Sequence, residues 1–410
     1  MKLSGWARLP VSLPLLALAF ALALTLNAGL AHAAPFTPTS DSEVVERLPL
    51  ASDPSARQLE SLRRQLVGRP DDNALRLDIG RRYFALAMAQ GDPRLVGYAA
   101  AAIAPLEAKS AGIADYWVLR GQLEQFSHRF EPALTSLEKA SQIDAKTVEP
   151  LAWRAAIFMV QARYAEAQTE CQRVAAVAEP LFATGCRAYV QAATGELKPA
   201  FDALGSAIKT ALAAKPPPAP ELLLWAYTRQ AEIAIRLQQN DAAEALLKSA
   251  LKLGVIDQFL LGAYADFLLA QQRPVEVLTL LAGWERSDIL LLRLALAGQA
   301  TKDSRATDWT RQLRDRFQAA AQRGDRLHEQ EAARFELDLE GNAAKALAAA
   351  TSNYTVQKEP RDAEILMRTA LAAKQAKAAQ PALDWLRNSR YEDPAFDKLA
   401  AQLAAQGATR

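Results

Sequence analysis

The chain has 410 residues, half of them hydrophobic, 23% charged and only 18 glycine, a composition that excludes a disordered or collagen-like polymer and can bury a large core. Its 48 lysines and arginines face 46 aspartates and glutamates, so the basic excess of a nucleic-acid-binding surface is missing. Three histidines and two cysteines are little material for a metal cluster.

In chain order, the first feature is an export signal. Lys2 and Arg8 precede an apolar stretch from Leu13 to Leu30, and Ala31-His32-Ala33 offers small residues at the two positions a signal peptidase reads. Residues 1–33 are therefore expected to be a signal peptide, cut between Ala33 and Ala34; a cut one residue later would place Pro35 beside the scissile bond. The competing reading is an uncleaved membrane anchor over residues 13–30, since a span takes about 20 apolar residues, but Pro14, Asn27 and Gly29 interrupt it. Cleaved export makes the protein periplasmic or secreted and leaves membrane attachment to the uncleaved precursor. No cysteine near the cut offers a lipid attachment point. Lys2 and Arg8 are the only charges removed, so 46 basic side chains then face 46 acidic ones, and nothing favours docking on an anionic polymer. Residues 34–56, interrupted by Pro38, Pro49 and Pro54, read as a flexible lead.

From Arg57 the pattern is helical throughout, rich in Ala, Leu, Gln, Glu, Lys and Arg, with short turns and no strand run. Self-comparison gives a column of small residues at Ala133, Ala167, Ala200, Ala243, Val277, Ala346 and Ala382, spaced 34, 33, 43, 34, 69 and 36 apart. The 43 contains the insertion Pro216-Pro217-Pro218-Ala219-Pro220, and the 69 spans two repeat lengths. Twelve residues earlier a second column reads Gly121, Ala155, Ala188, Ala231, Ala265, Arg334 and Ala370. Antiparallel helices approach closely where both present a small side chain, so this pairing at fixed spacing is a packing rule. Four residues after the first column come Leu137, Cys171, Leu204, Leu247, Leu281, Ala350 and Leu386, the expected core face of each second helix.

These features resemble the tetratricopeptide repeat family, whose helix-turn-helix units of about 34 residues follow W-x2-L-G-x2-Y, then A, then F, A and P. Trp117, Gly121, Ala133, Leu137 and Ala140 carry the clearest match, Tyr227 to Leu251 the next, and Ile79, Gly80 and Tyr83 an earlier unit with a longer turn through Gly91-Asp92-Pro93. The resemblance implies an all-α, right-handed solenoid of about nine units between residues 70 and 390. Repeats are expected over residues 57–283, clearest over 115–283, and degenerate ones over 284–392. Residues 393–410 are expected to form a capping helix and tail. Arg334 occupies a small-residue position, and residues 288–324 keep the helical pattern without the motif.

Cys171 falls on the second helix of one unit and Cys186 on the first helix of the next, eight residues before and seven after Glu179 in the turn. At about 1.5 Å of rise per residue the two sit at nearly equal height, so a structural disulfide is expected, against the alternative of two buried thiols.

Catalytic signatures are weak. His328-Glu329-Gln330-Glu331 begins like a zinc-protease helix, but Ala332 stands where the second histidine belongs. His128 and His328, 200 residues apart, read as surface histidines. Ser136 to Lys139 and Ser206 to Lys209 satisfy S-x-x-K without the companion elements. No catalytic residue, metal site or cofactor is expected. What remains is surface. In the family it resembles, the first helices line a groove, and the matching positions here are Gln122, Phe126, Met159, Phe182, Tyr189, Trp225, Arg236 and Phe259. The lysine, asparagine and arginine clamp for a peptide carboxylate is not reproduced. These residues either form an open partner-binding groove or are buried against neighbouring repeats. The expected function is a non-catalytic periplasmic scaffold for a protein partner of the cell envelope. The alternative is a carbohydrate-binding or polysaccharide-export accessory protein that stacks sugars on Tyr189 and Trp225.

Overall fold

The computed structural model describes Ser40 and residues 54–324 and 326–408. The expected signal peptide, its Ala33–Ala34 cut, the apolar stretch 13–30 and nearly all of the lead lie outside the described residues. A leading helix, α1 (Pro54–Gly68), starts three residues before the boundary expected at Arg57, with proline at its first position, where a missing N–H costs nothing.

Nine helix pairs follow among the described residues. They are α2 (Asn73–Gln90) with α3 (Arg94–Ile103), α4 (Ala114–Phe126) with α5 (Phe130–Ile143), and α6 (Val148–Val160) with α7 (Tyr164–Ala175). Next come α8 (Pro180–Ala193) with α9 (Leu197–Ala213), α10 (Pro220–Arg236) with α11 (Asn240–Leu251), and α12 (Gln258–Ala270) with α13 (Pro274–Leu280). The last three are α14 (Asp288–Thr301) with α15 (Ala306–Gln322), α16 (Glu329–Asp338) with α17 (Ala343–Tyr354), and α18 (Pro360–Ala372) with α19 (Gln380–Ser389). A terminal helix, α20 (Pro394–Ala408), buries Phe396 and Leu403 against the ninth pair and closes the core there. The fold is an all-α solenoid of helix-turn-helix pairs.

The small-residue columns are where the helices of each pair cross. All seven members of the first column, from Ala133 to Ala382, are fully buried. At Gly121 a methyl group would lie 2.6 Å from Leu137 Cγ, so α4 and α5 approach as closely as a hydrogen allows. The unit that lost the motif solves the same problem differently: Gly298 on α14 receives the ring of Trp309 on α15, and Trp309 and Leu313 fill the space. A large residue against glycine replaces small against small.

Each pair turns through a residue in the left-handed region: Gly91, His128, Ala162, Gly195, Gln238, Gln272, Lys302, Gly341 and Lys374. At the six positions without glycine, the following residue donates its N–H to a carbonyl five back, as Arg129 does to Glu124 and Arg273 to Leu268. That bond satisfies the last orphan carbonyls of the first helix and holds a conformation costing about 1 kcal/mol for a side chain with a Cβ. Helix starts are fixed by Asp72, Asp257, Ser287 and Asn342, whose side chains accept from backbone N–H groups of the first turn, and by prolines at Pro180, Pro220, Pro274 and Pro360.

Cys171 on α7 and Cys186 on α8 form a disulfide with a Cα–Cα distance of 5.5 Å, joining the third pair to the fourth. Closing this loop stabilises the chain by about 3 kcal/mol in the chain-entropy model.

Candidate functional site

Neighbouring first helices touch one another from pair to pair, and second helices do not approach their counterparts in the same way. The first helices therefore lie on the inside of the curve, and their free faces form a concave surface. On it the Phe182 and Trp225 rings sit 5.1 Å apart, Trp225 covers Gly185, and the guanidinium of Arg229 lies 5.0 Å from the Tyr189 ring. These four residues are half-buried. Other expected groove residues are engaged elsewhere. Met159 is buried in the core, and buried Gln122 donates its amide to Glu149 at 2.6 Å, so neither is offered to a partner. Phe126 packs, half-buried, against the core of the first two pairs, whereas Phe259 is exposed.

The concave face is partly closed by the chain itself. In α12, Gln258 donates to the carbonyl of Met88 at 3.1 Å and accepts from Ser287, so the sixth pair meets the end of α2. Asp266, one turn from the end of α12, accepts from Arg334 on α16 at 2.7 Å and from Arg293 Nε on α14 at 3.1 Å. The eighth and ninth pairs then lie against the third to fifth. Trp385 Nε1 donates to the Tyr164 hydroxyl at 2.8 Å, and the Leu197 N–H reaches Glu392 at 2.7 Å. Arg236 donates to the carbonyls of Ala192 and Glu392 and covers the Tyr391 ring at 3.7 Å, so this expected partner contact is made within the chain. Finally, Lys358 donates its main-chain N–H to the Val160 carbonyl at 2.7 Å, and Val356 packs on the core of the second to fourth pairs. The linker 355–359, a turn at 355–356 followed by three residues without regular structure, thus lies against the third pair.

Charges line the remaining space. Burial by itself would raise the carboxyl of Asp266, but Arg293 and Arg334 outweigh it and hold the group at about 2. Burial pushes the Glu232 carboxyl up, against the pull of Arg229 and Arg361, and Arg229 pairs with Glu232 at 3.0 Å. The side chain of Arg361, bound to Glu359 at 2.6 Å, keeps 50% of its surface although it lies within electrostatic range of Tyr189, Arg229 and Glu232, so water reaches this part of the inner face. Asp362 is buried beneath it. Its carboxylate accepts from Asn353 at 2.8 Å and from the Glu359 N–H at 2.9 Å, and burial, with Glu359 adding, raises it to about 7.

His128 and His328 are brought within electrostatic range of each other. Burial, and then His328, depress the His128 imidazole below its ordinary value, and its ring stacks on Phe130 at 5.7 Å. A cavity of about 420 Å³ beside them is lined by Ser127, His128, Arg326, Glu329 and Asn353. Among the described residues no group of three His, Cys, Asp or Glu side chains is placed to hold a metal ion, and no helix is long and apolar enough to cross a membrane. A larger cavity, of about 850 Å³, opens between the α6–α7 turn and the last two pairs.

The closing contacts escaped sequence reasoning with one exception. Arg334 breaks the small-residue column because its side chain reaches across to Asp266. A charge in a packing column was the visible signal.

The sequence matches no family model and no curated protein. Solved structures similar to it include yeast Tom70, at 10% identity over 86% of this chain and 85% of that one, with a TM-score of 0.41. A chain of the Naa15/Naa10 complex bound to HypK-THB is similar over 86% of this chain and 59% of its own, at 14% identity and a TM-score of 0.25. The TPR domain of P58(IPK) covers 80% of this chain and 96% of its own, at 14% identity and a TM-score of 0.21.

Proposed function

We propose that the protein is a non-catalytic scaffold of the cell envelope, exported by residues 1–33, whose inner face receives an extended segment of a protein partner. The observation that carries the reading is the chain's own linker 355–359, bound there through the Lys358 to Val160 main-chain bond with Val356 packed on the wall. A face that accepts a non-helical segment through a backbone bond and an apolar side chain has the chemistry to accept another. The helices around it are preformed, so docking orders little of the receptor. The carbohydrate alternative is weaker, because Arg229 already lies over Tyr189, and Trp225 is already engaged by Phe182 and Gly185.

The test places a photo-crosslinking residue at Tyr189 or Phe259 in living cells and identifies the adducts by mass spectrometry. The reading expects one dominant envelope protein from both sites. Adducts only from outer positions such as Val177 and Leu212 would reject it.

A further inference from the structure

We propose that the cavity between the α6–α7 turn and the last two helix pairs is the pocket that reads the partner: it takes a bulky apolar side chain, with a peptide group held at the wall and an acidic residue at the mouth. The inference rests on the scaffold reading and deepens it. It concerns a seam formed only because the ninth pair folds onto the third, not the groove between adjacent repeats.

The cavity measures about 850 Å³ and is open on one side, within the size range of small-molecule and peptide-anchor pockets. Ala162, Tyr164, Tyr354, Leu366, Pro381 and Trp385 make its wall predominantly apolar. Two polar atoms of wall residues are buried without a hydrogen-bond partner, Gln161 Oε1 and the Tyr354 hydroxyl. Folded proteins leave few such atoms, because a buried polar group without a partner has given up its hydrogen bonds to water for nothing. Their chemistry is complementary to one kind of group. Gln161 Oε1 only accepts; the Tyr354 hydroxyl, kept neutral because burial pushes its pKa up, can donate. A peptide unit carries an N–H for the first and a carbonyl for the second.

The charges at the mouth add the acidic residue. Arg163 is paired with Glu131 and Glu166, and Asp384 with Arg387. Lys358, also at the mouth, has no ion-pair partner among the described residues. A carboxylate on the incoming segment would supply one. A sugar finds less here, since Trp385 packs its ring against Tyr391 and Phe396 at 5.0 and 5.7 Å and gives its N–H to Tyr164.

The test pans a random-peptide phage library on the purified full chain and measures binding of the enriched peptides to three variants. Enriched peptides are expected to share a bulky apolar residue within two positions of Asp or Glu. Ala165→Trp, at the exposed mouth, should abolish binding, and Lys358→Glu should weaken it about tenfold. Tyr354→Phe is the decisive variant: it removes a hydroxyl that bonds nothing in the free protein, so the melting temperature should hold or rise while binding falls about fivefold. No enrichment, or enriched peptides indifferent to Ala165→Trp and Tyr354→Phe, would overturn the assignment. So would cell-wall oligosaccharides on a glycan array binding the wild type and not Ala165→Trp. A protein adduct at Tyr189 in cells does not depend on this cavity, so an adduct there with failed panning removes the pocket and leaves the scaffold.

Discussion

The first six helix pairs and the last three are built on different terms. From α4 to α13, helices cross where alanine or glycine faces alanine or, in the sixth pair, Val277, and each pair is held mainly by its immediate neighbours. In the seventh and eighth pairs the crossing residues change, with Trp309 set into Gly298 and Arg334 in a position that is Gly or Ala in the other six repeats of that column, while the ninth keeps Ala370 against Ala382. The later pairs carry contacts that reach back across the solenoid: Arg334 to Asp266, Trp385 to Tyr164, Glu392 to Leu197. The first region is a repeat array stabilised by local packing. The second is the part that folds back and narrows the inner face, and it does so through charges and aromatic donors.

The sharpest way to break this contrast is at Asp266. Asp266→Ala leaves the largely buried Arg293 and Arg334 without their shared carboxylate; because 36% of the Asp266 side chain is exposed, the loss is about 1–3 kcal/mol, below that of a fully buried pair. Urea unfolding should show that loss, whereas Asp202→Ala, on the exposed surface of α9, should change stability by less than about 0.5 kcal/mol. Removing the disulfide with Cys171→Ala and Cys186→Ala acts on the first region alone and should cost about 3 kcal/mol, with the sensitivity to Asp266→Ala unchanged. Equal loss of the Asp266 effect in that background would join the two regions into one cooperative unit.

A smaller effect separates them by pH. The folded chain holds a proton on Asp362 that the unfolded chain releases above its ordinary pKa of 3.8. The raised group therefore contributes stability that is complete below about 4 and lost as pH rises through about 7. Asp362→Asn keeps a side-chain acceptor and removes that titration. Its melting temperature should fall less between pH 5 and pH 8 than the wild type's, and an unchanged difference would mean the carboxyl is already ionised at pH 5. The smallest expected effect belongs to the turns: Gln272→Gly relieves a left-handed residue and should add about 0.5–1 kcal/mol, measured by thermal unfolding.

Much of the fold was legible because its packing rule is local. Ala133, Ala167 and Ala200 stand at a repeat spacing any self-comparison finds, and Cys171 and Cys186 follow from helix rise and one turn. The inner face was legible only in part. Tyr189, Trp225 and Phe182 do line it, but Arg236, Gln122 and Met159 are taken up by contacts within the chain. What decides the difference is how tightly the solenoid winds, which depends on residues more than 60 positions apart. No periodic pattern encodes the pairing of Asp266 with Arg334. The departure at Arg334 marked the place without naming the partner.

The measurement that tests the closure most directly is a double-mutant cycle between Asp266→Ala and Arg334→Ala, read by denaturant unfolding of both single variants and the double. If α12 and α16 meet through these side chains, the two changes are coupled by at least about 1 kcal/mol. Additivity within about 0.5 kcal/mol would mean that the two helices do not meet through this pair in solution, and that the eighth and ninth pairs leave the inner face open.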